Sequence, residues 1–232
     1  MDAAGKMEKV RGKHPVEDVL YERLVDAITD KYLRPGQHLN EVKLAERYNV
    51  PRSRVRRVLE RLRDEDVVVF ELNRGAFISR PTVEDARNVF EIRRHLENLV
   101  VRLACERATP AEIELLRENL REEREAFAAL RPDFNRIAAH FHFTIARMSR
   151  NPVLEKMIAL LIRRCVLVQS VYERKTGFLC LTEDHGEMVD CISRNDPERA
   201  IELMTHHFDH IISSLDLTET RRAEIDPYEF AS

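Results

Sequence analysis

Apolar residues recur at helical spacing along most of this chain, with one short interruption. Val16, Val19, Leu20, Leu24, Ala27 and Ile28 trace one face of a helix predicted over residues 16–32. Leu33-Arg-Pro-Gly-Gln37 breaks it, because proline and glycine together force a turn. His38-Leu39 reads as a short extended piece, and Asn40 is a good N-cap for a second helix over 41–48, with Leu44 and Ala45 inward. In the next stretch, 51–63, Val55, Val58, Leu59 and Leu62 make a single stripe, so a third helix is predicted there. The interruption follows. Residues 66–72 are rich in valine and predict a strand, and residues 76–79 predict the strand that returns. Asn73-Arg74-Gly75 between them is a tight hairpin turn, where Gly75 supplies a positive φ.

From Pro81 onward the spacing is helical throughout and glycine is rare. Breaks are marked by helix starts. Thr82-Val-Glu-Asp85 reads as a capping box, and Thr109-Pro-Ala-Glu112 as an N-cap, an N1 proline and a first-turn acid. Asp133, Asn151-Pro152 and Asp196-Pro197 open further helices. Six helices are predicted, over 82–107, 110–129, 133–149, 152–172, 183–194 and 197–215, with an ordered loop over 173–181. The fold class is mainly α: residues 1–80 form one domain, 81–217 an antiparallel helical bundle and 218–232 a loose polar tail.

Charge separates the two domains. Up to Arg80 there are 17 Lys+Arg against 14 Asp+Glu, a net of +3, and the remainder carries 21 against 27, a net of -6. Arg52, Arg54, Arg56, Arg57, Arg61 and Arg63 crowd the third helix, all off its apolar stripe. A helix with a buried seam and a guanidinium face suits the major groove of DNA, since arginine bonds guanine edges bidentately and also pairs with phosphates. A solvated charged helix would show the same stripe. The order helix, helix, turn, basic helix and two-stranded hairpin favours a winged helix-turn-helix, with Arg74 and Gly75 at the wing tip.

These residues resemble a known family. Leu33-Arg-Pro-Gly-Gln-His-Leu-Asn-Glu41, Leu44-Ala45-Glu46, Val50-Pro-Arg-Ser-Arg-Val-Arg56 and Asn73-Arg-Gly-Ala-Phe-Ile78 are similar to the DNA-binding domain of GntR transcription regulators. The chain keeps Val50, Arg52, Val55, Arg56 and Leu59 of the family string. It departs from it at Pro51, Ser53, Arg54 and Arg57, where the family has serine, threonine, proline and glutamate. The resemblance implies that Arg52 and Arg56 read operator bases. A third arginine used by relatives falls on Val42, so that contact is either lost or taken up by Lys43 beside it. Ser53, Arg54, Arg57, Arg74 and Gly75 complete the expected DNA-binding set, with Arg54 and Arg57 on phosphates.

The helical part resembles the effector domain of the FadR-type branch of the same family, on Phe90-Glu-Ile-Arg-Arg-His-Leu-Glu97, Phe141-His142, Asn151-Pro152, Asp184-His185 and Asp196-Pro197. Metal-binding members hold a divalent ion with one aspartate and three histidines. The histidines fall on His142, His185 and His207, but the aspartate falls on Ala138. His140 and Asn135 are nearby, although neither holds the matching helical position. If a metal binds, three imidazoles favour zinc, nickel or cobalt; otherwise the histidines bind the effector or fill the core. Arg93 and Arg94 are the expected partners of an effector carboxylate. His206 and His210 are a further i, i+4 pair on a polar face.

Composition bounds the rest. Hydrophobic content of 44% describes a globular protein, and no apolar run is long enough to span a membrane. The first ten residues lack the apolar core of a signal peptide. Cys105, Cys165, Cys180 and Cys191 have no CxxC spacing and read as reduced thiols, consistent with a cytoplasmic location. The resulting expectation is a cytoplasmic transcription regulator, a repressor, that binds a palindromic double-stranded DNA operator as a homodimer and responds to a small organic acid. The alternative is a metalloenzyme built on the three histidines, which would leave the basic domain without a role.

Overall fold

The computed structural model describes residues 15–174 and 181–218. The basic N-terminal part holds helix α1 (Pro15–Thr29), strand β1 (His38–Leu39), α2 (Glu41–Tyr48), α3 (Arg52–Asp64), β2 (Val68–Glu71) and β3 (Gly75–Ile78). Leu20, Leu24 and Ile28 of α1 bury against the Val55, Val58, Leu59 and Leu62 stripe of α3. The Asn40 side chain caps α2 by accepting from the Val42 and Lys43 amides, and Asn49 closes that helix with φ 51°. Helix α1 stops short of the predicted residue 32, because the backbone turns left-handed at Lys31 (φ 59°).

The wing has one more strand than its hairpin alone. Residues 38 and 39 pair antiparallel with β3, His38 opposite Phe77 and Leu39 opposite Ala76, giving the order β1-β3-β2. Two residues carry too little pattern to announce a strand, and their pairing partners lie more than thirty positions away.

The C-terminal part consists of α4 (Val83–Arg107), α5 (Pro110–Ala128), α6 (Phe134–Met148), α7 (Pro152–Tyr172), α8 (Leu181–Arg194) and α9 (Pro197–Ser213). Reciprocal capping boxes start α4 at Thr82/Asp85 and α5 at Thr109/Glu112. Asp133 makes no side-chain cap to α6. Its carboxylate accepts instead from Arg131 and Arg136. Helix α4 is the axis of the bundle and packs on α6, α7, α8 and α9. Cys105, Cys165 and Cys191 are buried free thiols. Most of the predicted 173–181 loop, with Cys180, and nearly all of the 218–232 tail lie outside the described residues.

The two parts are not merely strung on a linker. Val166 and Leu167 of α7 are buried in the core of the N-terminal part. Around them Arg163 pairs with Glu65 at 2.9 Å, Arg164 with Asp66 at 3.3 Å, Arg136 with Asp30 at 3.4 Å and Lys31 with Glu173 at 2.6 Å.

Candidate nucleic-acid interface and effector cavity

Burial of its apolar stripe turns the arginines of α3 outward, and their partners then divide them. Arg52 and Arg56 are largely exposed and only loosely drawn toward Glu41 of α2, at 3.7 and 4.0 Å. Arg56 also meets Glu60 one turn on, at 3.3 Å. On the flank facing α1, Arg57 is held by Glu17 at 2.5 Å and Arg61 by Asp18 at 3.3 Å, with the Arg61 guanidinium 3.6 Å from the centre of the Tyr21 ring. Arg57, grouped with Arg54 by the sequence, is therefore tied to α1. Arg54 is half-buried and has no ion-pair partner among the described residues. Ser53 and Lys43 are exposed. At the wing tip Arg74 pairs with Glu71 and lies 5.1 Å from the Phe77 ring centre. Gly75 sits at φ 96°, and a Cβ there would come within 3.1 Å of His38 Nε2. Both conformation and space select glycine.

The second site is a cavity at the foot of the bundle. His142 of α6, His185 of α8 and His207 of α9 converge there, all buried, with one ligand-type atom from each lying within 4.8 Å of the others. Ring centres are 5.2 Å apart for His142–His185, 5.3 Å for His142–His207 and 4.8 Å for His185–His207. Each imidazole has a carboxylate at its back from a different helix. Glu97 of α4 lies 2.5 Å from His142 Nδ1, Glu123 of α5 lies 2.9 Å from His185 Nδ1, and Asp184 of α8 lies 3.4 Å from His207 Nδ1. The Nε2 atoms of His185 and His207 are buried without a hydrogen-bond partner.

That arrangement fits a metal. At His142 and His185 a carboxylate hydrogen-bonded to Nδ1 sets the tautomer and leaves Nε2 as the donor, the usual support of a ligating histidine, whereas both ring nitrogens of His207 are buried without a hydrogen-bond partner. Burial pushes His142 down to about 4 and His207 to about 3, which keeps both neutral and able to ligate near pH 7. Ala138, where the resemblance expects an aspartate, lines the cavity, and so does Asn135, whereas His140 is exposed and does not.

Arg93 also lines the cavity. It is buried, donates from Nε to Glu97 at 2.7 Å and stands 5.1 Å over the Phe208 ring. Burial works against the Glu97 carboxyl, but His142 and Arg93 on either side outweigh it and hold the group at about 2. Arg94 is placed differently. It points away from the cavity and pairs with Asp209 at 2.9 Å. Two lining residues, Thr29 at the end of α1 and Lys31 in the turn after it, come from the basic domain.

Comparison with known proteins decides what this pairing of parts is. Residues 17–78 match the model for bacterial regulatory proteins of the gntR family, and residues 88–210 match the FCD domain. The chain belongs to the GntR family, in its FCD, or FadR-type, branch. The Nta operon transcriptional regulator of Aminobacter aminovorans is 30% identical over 187 residues, covering 78% of this chain and 87% of that one. The transcriptional repressor RspR of Escherichia coli is 23% identical, over 87% and 89% of the two chains. Among solved structures, E. coli McbR/YncC superposes with a TM-score of 0.77 at 20% identity, over 85% of this chain and 95% of that one. A GntR regulator from Rhodococcus sp. RHA1 gives 0.73 at 24% identity, over 86% and 99%. These two structures carry the fold alone.

As a GntR/FCD regulator the chain is a DNA-binding transcriptional regulator and not an enzyme. FCD domains hold a metal in some regulators, and the three histidines of this one stand together as described. The sequence offered His142, His185 and His207 but not the carboxylates behind them. Glu123 carries no local signal, since it sits among Glu122, Glu125 and other acids of α5. Its complete burial is what distinguishes it. Glu97 could have been suspected, because it follows Arg93 by four residues, the spacing of an intrahelical ion pair.

Proposed function

We propose that this GntR/FCD regulator is a cytoplasmic homodimeric repressor that binds a palindromic operator and is released from it by a small organic acid. The observation that carries this reading is the composition of the cavity wall: Thr29 and Lys31 of the DNA-binding domain line the same space as Arg93 and the three histidines. An occupant of that space touches both domains, so its affinity depends on how they are arranged. Such a difference in affinity is what lets a ligand shift the equilibrium between arrangements. The names of RspR and of the NanR relatives, both repressors, support repression over activation. Two-fold symmetry in the protein calls for two-fold symmetry in the DNA site. On the DNA, Arg52 and Arg56 read base edges. Lys43, Ser53 and Arg54 hold phosphates, Arg57 steadies α1, and the wing brings Arg74 to the minor groove by way of the turn at Gly75. Arg93 and Lys31, paired with Glu97 and Glu173 respectively, are the cations at the cavity wall toward which an effector carboxylate would bind, and Arg94, paired with Asp209, is not among the lining residues. A metal on His142, His185 and His207, of the zinc, nickel or cobalt class, would supply a further positive charge for the effector.

Selection of a binding sequence from random duplex DNA, followed by fluorescence anisotropy with and without a panel of carboxylic and sugar acids, tests the reading. A two-fold symmetric site whose occupancy falls with one of these acids is expected. Recovery of only asymmetric or non-specific DNA would sink it. The metal is tested separately. Ala138→Asp restores a carboxylate one helical turn before His142, on a residue that lines the cavity. It should raise the metal content of protein purified without chelator, measured by elemental analysis. Equal, negligible metal in both proteins would leave the histidines as effector ligands or core.

A further inference from the structure

Outside the buried triad, a second group of metal-type ligands converges on the solvent side of α9. His206 and His210 stand one turn apart with ring centres 3.9 Å from each other. Asp184 of α8 faces both: its Oδ1 is 3.8 Å from His206 Nδ1 and its Oδ2 is 3.4 Å from His210 Nδ1. One ligand-type atom from each residue lies within 4.8 Å of the other two. A tetrahedral zinc ion with bonds of about 2.0–2.2 Å sets its ligand atoms roughly 3.3–3.6 Å apart. Asp184 and His210 already match that spacing, and rotation of the exposed His206 ring is needed to shorten both of its edges, to Asp184 and to His210, to the same value.

Accessibility differs across the group in a useful way. The His206 side chain is 59% exposed and that of His210 36%, whereas Asp184 is 11% exposed. A fixed carboxylate at the floor and two imidazoles at the rim leave the outer coordination positions to water. Two imidazole nitrogens and one carboxylate oxygen, spaced i, i+4 on one helix with the acid from its neighbour, suit late divalent metals over magnesium or calcium.

We propose that Asp184, His206 and His210 form a second, solvent-facing site for a divalent transition metal of the zinc class, separate from the buried triad. The two sites share one group. Asp184 Oδ2 also lies 3.4 Å from His207 Nδ1, so an ion held outside draws on the carboxylate that backs a triad histidine. Outer occupancy is thereby communicated to the cavity through a single side chain, and by linkage the reverse holds with equal magnitude. The outer site needs no metal in the triad in order to form.

The test uses tag-free, full-length, metal-stripped protein titrated with Zn2+ by calorimetry, and with Co2+ by visible absorption. His206→Gln/His210→Gln should take up one equivalent fewer per chain than the wild type. His142→Gln, which disables the triad, should keep the outer equivalent with its cobalt absorption intact. Each single outer variant should weaken that equivalent at least tenfold. Unchanged stoichiometry and affinity in the double variant would overturn the proposal, whatever the triad does. His206 is exposed, whereas His210 is partly buried and hydrogen-bonded to Asp184, so the metal-free melting temperature should be unaltered in His206→Gln and only slightly lowered in the double variant. As an independent readout in the wild type, the ring resonances of His206 and His210 should shift on addition of Zn2+. Resonances that stay in place at saturating metal would overturn the proposal equally.

Discussion

A single side chain on α3 has a fate decided by its angular position. Arg52 and Arg56 project from the free side of the helix, while Arg57 projects toward Glu17 and is held there at 2.5 Å. Arg52→Ala and Arg56→Ala should each cost about 1–3 kcal/mol of specific operator binding, measured by anisotropy against random DNA. Arg54→Ala should weaken both DNAs about equally and lower the salt slope by roughly one. Arg57→Ala should instead loosen α1 from α3, seen as a lower melting temperature before any loss of sequence discrimination. Wild-type operator affinity in the Arg52 and Arg56 variants would refute the interface.

The buried histidines give a pH dependence with a definite sign. In metal-free protein, burial holds His142 at about 4 and His207 at about 3 against an ordinary 6.5. Between 6.5 and those values the unfolded chain binds protons that the folded chain refuses, so stability falls as pH drops through that window. Glu97, at about 2 against 4.5, acts in the same direction lower down: its contribution is present above 4.5 and lost toward 2. Melting temperature should therefore decline from pH 7 to pH 5, and His207→Gln should flatten the decline. A level profile over that range in the wild type would contradict the burial of neutral imidazoles.

Elements are delimited by short-range chemistry, which is why their starts are legible. Thr109 accepts from the Glu112 amide while the Glu112 carboxylate accepts from the Thr109 amide, and Pro110 occupies the first turn. Thr109→Ala should cost about 1 kcal/mol, read from urea unfolding, because it leaves an amide at the helix start without its partner. An unchanged midpoint would mean that solvent replaces the cap at no cost. The same locality explains where element reading stopped. Asp133 looks like a cap but is taken by Arg131, and β1 exists only because β3 runs beside it.

At the scale of the molecule, the boundary near residue 80 divides the chain more sharply than it divides the structure. Helix α7 lends Val166 and Leu167 to the core of the DNA-binding domain. We expect a fragment starting at residue 81 to fold, since α4 to α9 enclose their own core, and to sediment as a dimer. It would also expose those two side chains and strand Arg163 and Arg164 without Glu65 and Asp66, so lower solubility than the intact protein should accompany it. A monomeric fragment would move the dimer interface to the DNA-binding heads.

By itself, the chain determined the elements, the winged helix-turn-helix and the helical bundle, because stripe periodicity, caps and turn residues act over a few positions. The three histidines, and Ala138 where relatives carry an aspartate, were legible only through the resemblance to the family. Only the tertiary structure decided which arginine of α3 is free and which is tied, since Glu17 lies forty positions from Arg57. It alone supplied the carboxylates of Glu97, Glu123 and Asp184 behind the histidines, and brought Lys31, just beyond the first helix, to the wall of a cavity lined by α4 and α6 to α9. Those contacts join residues remote in sequence, and burial, which gives them their strength, is a property of the packed chain.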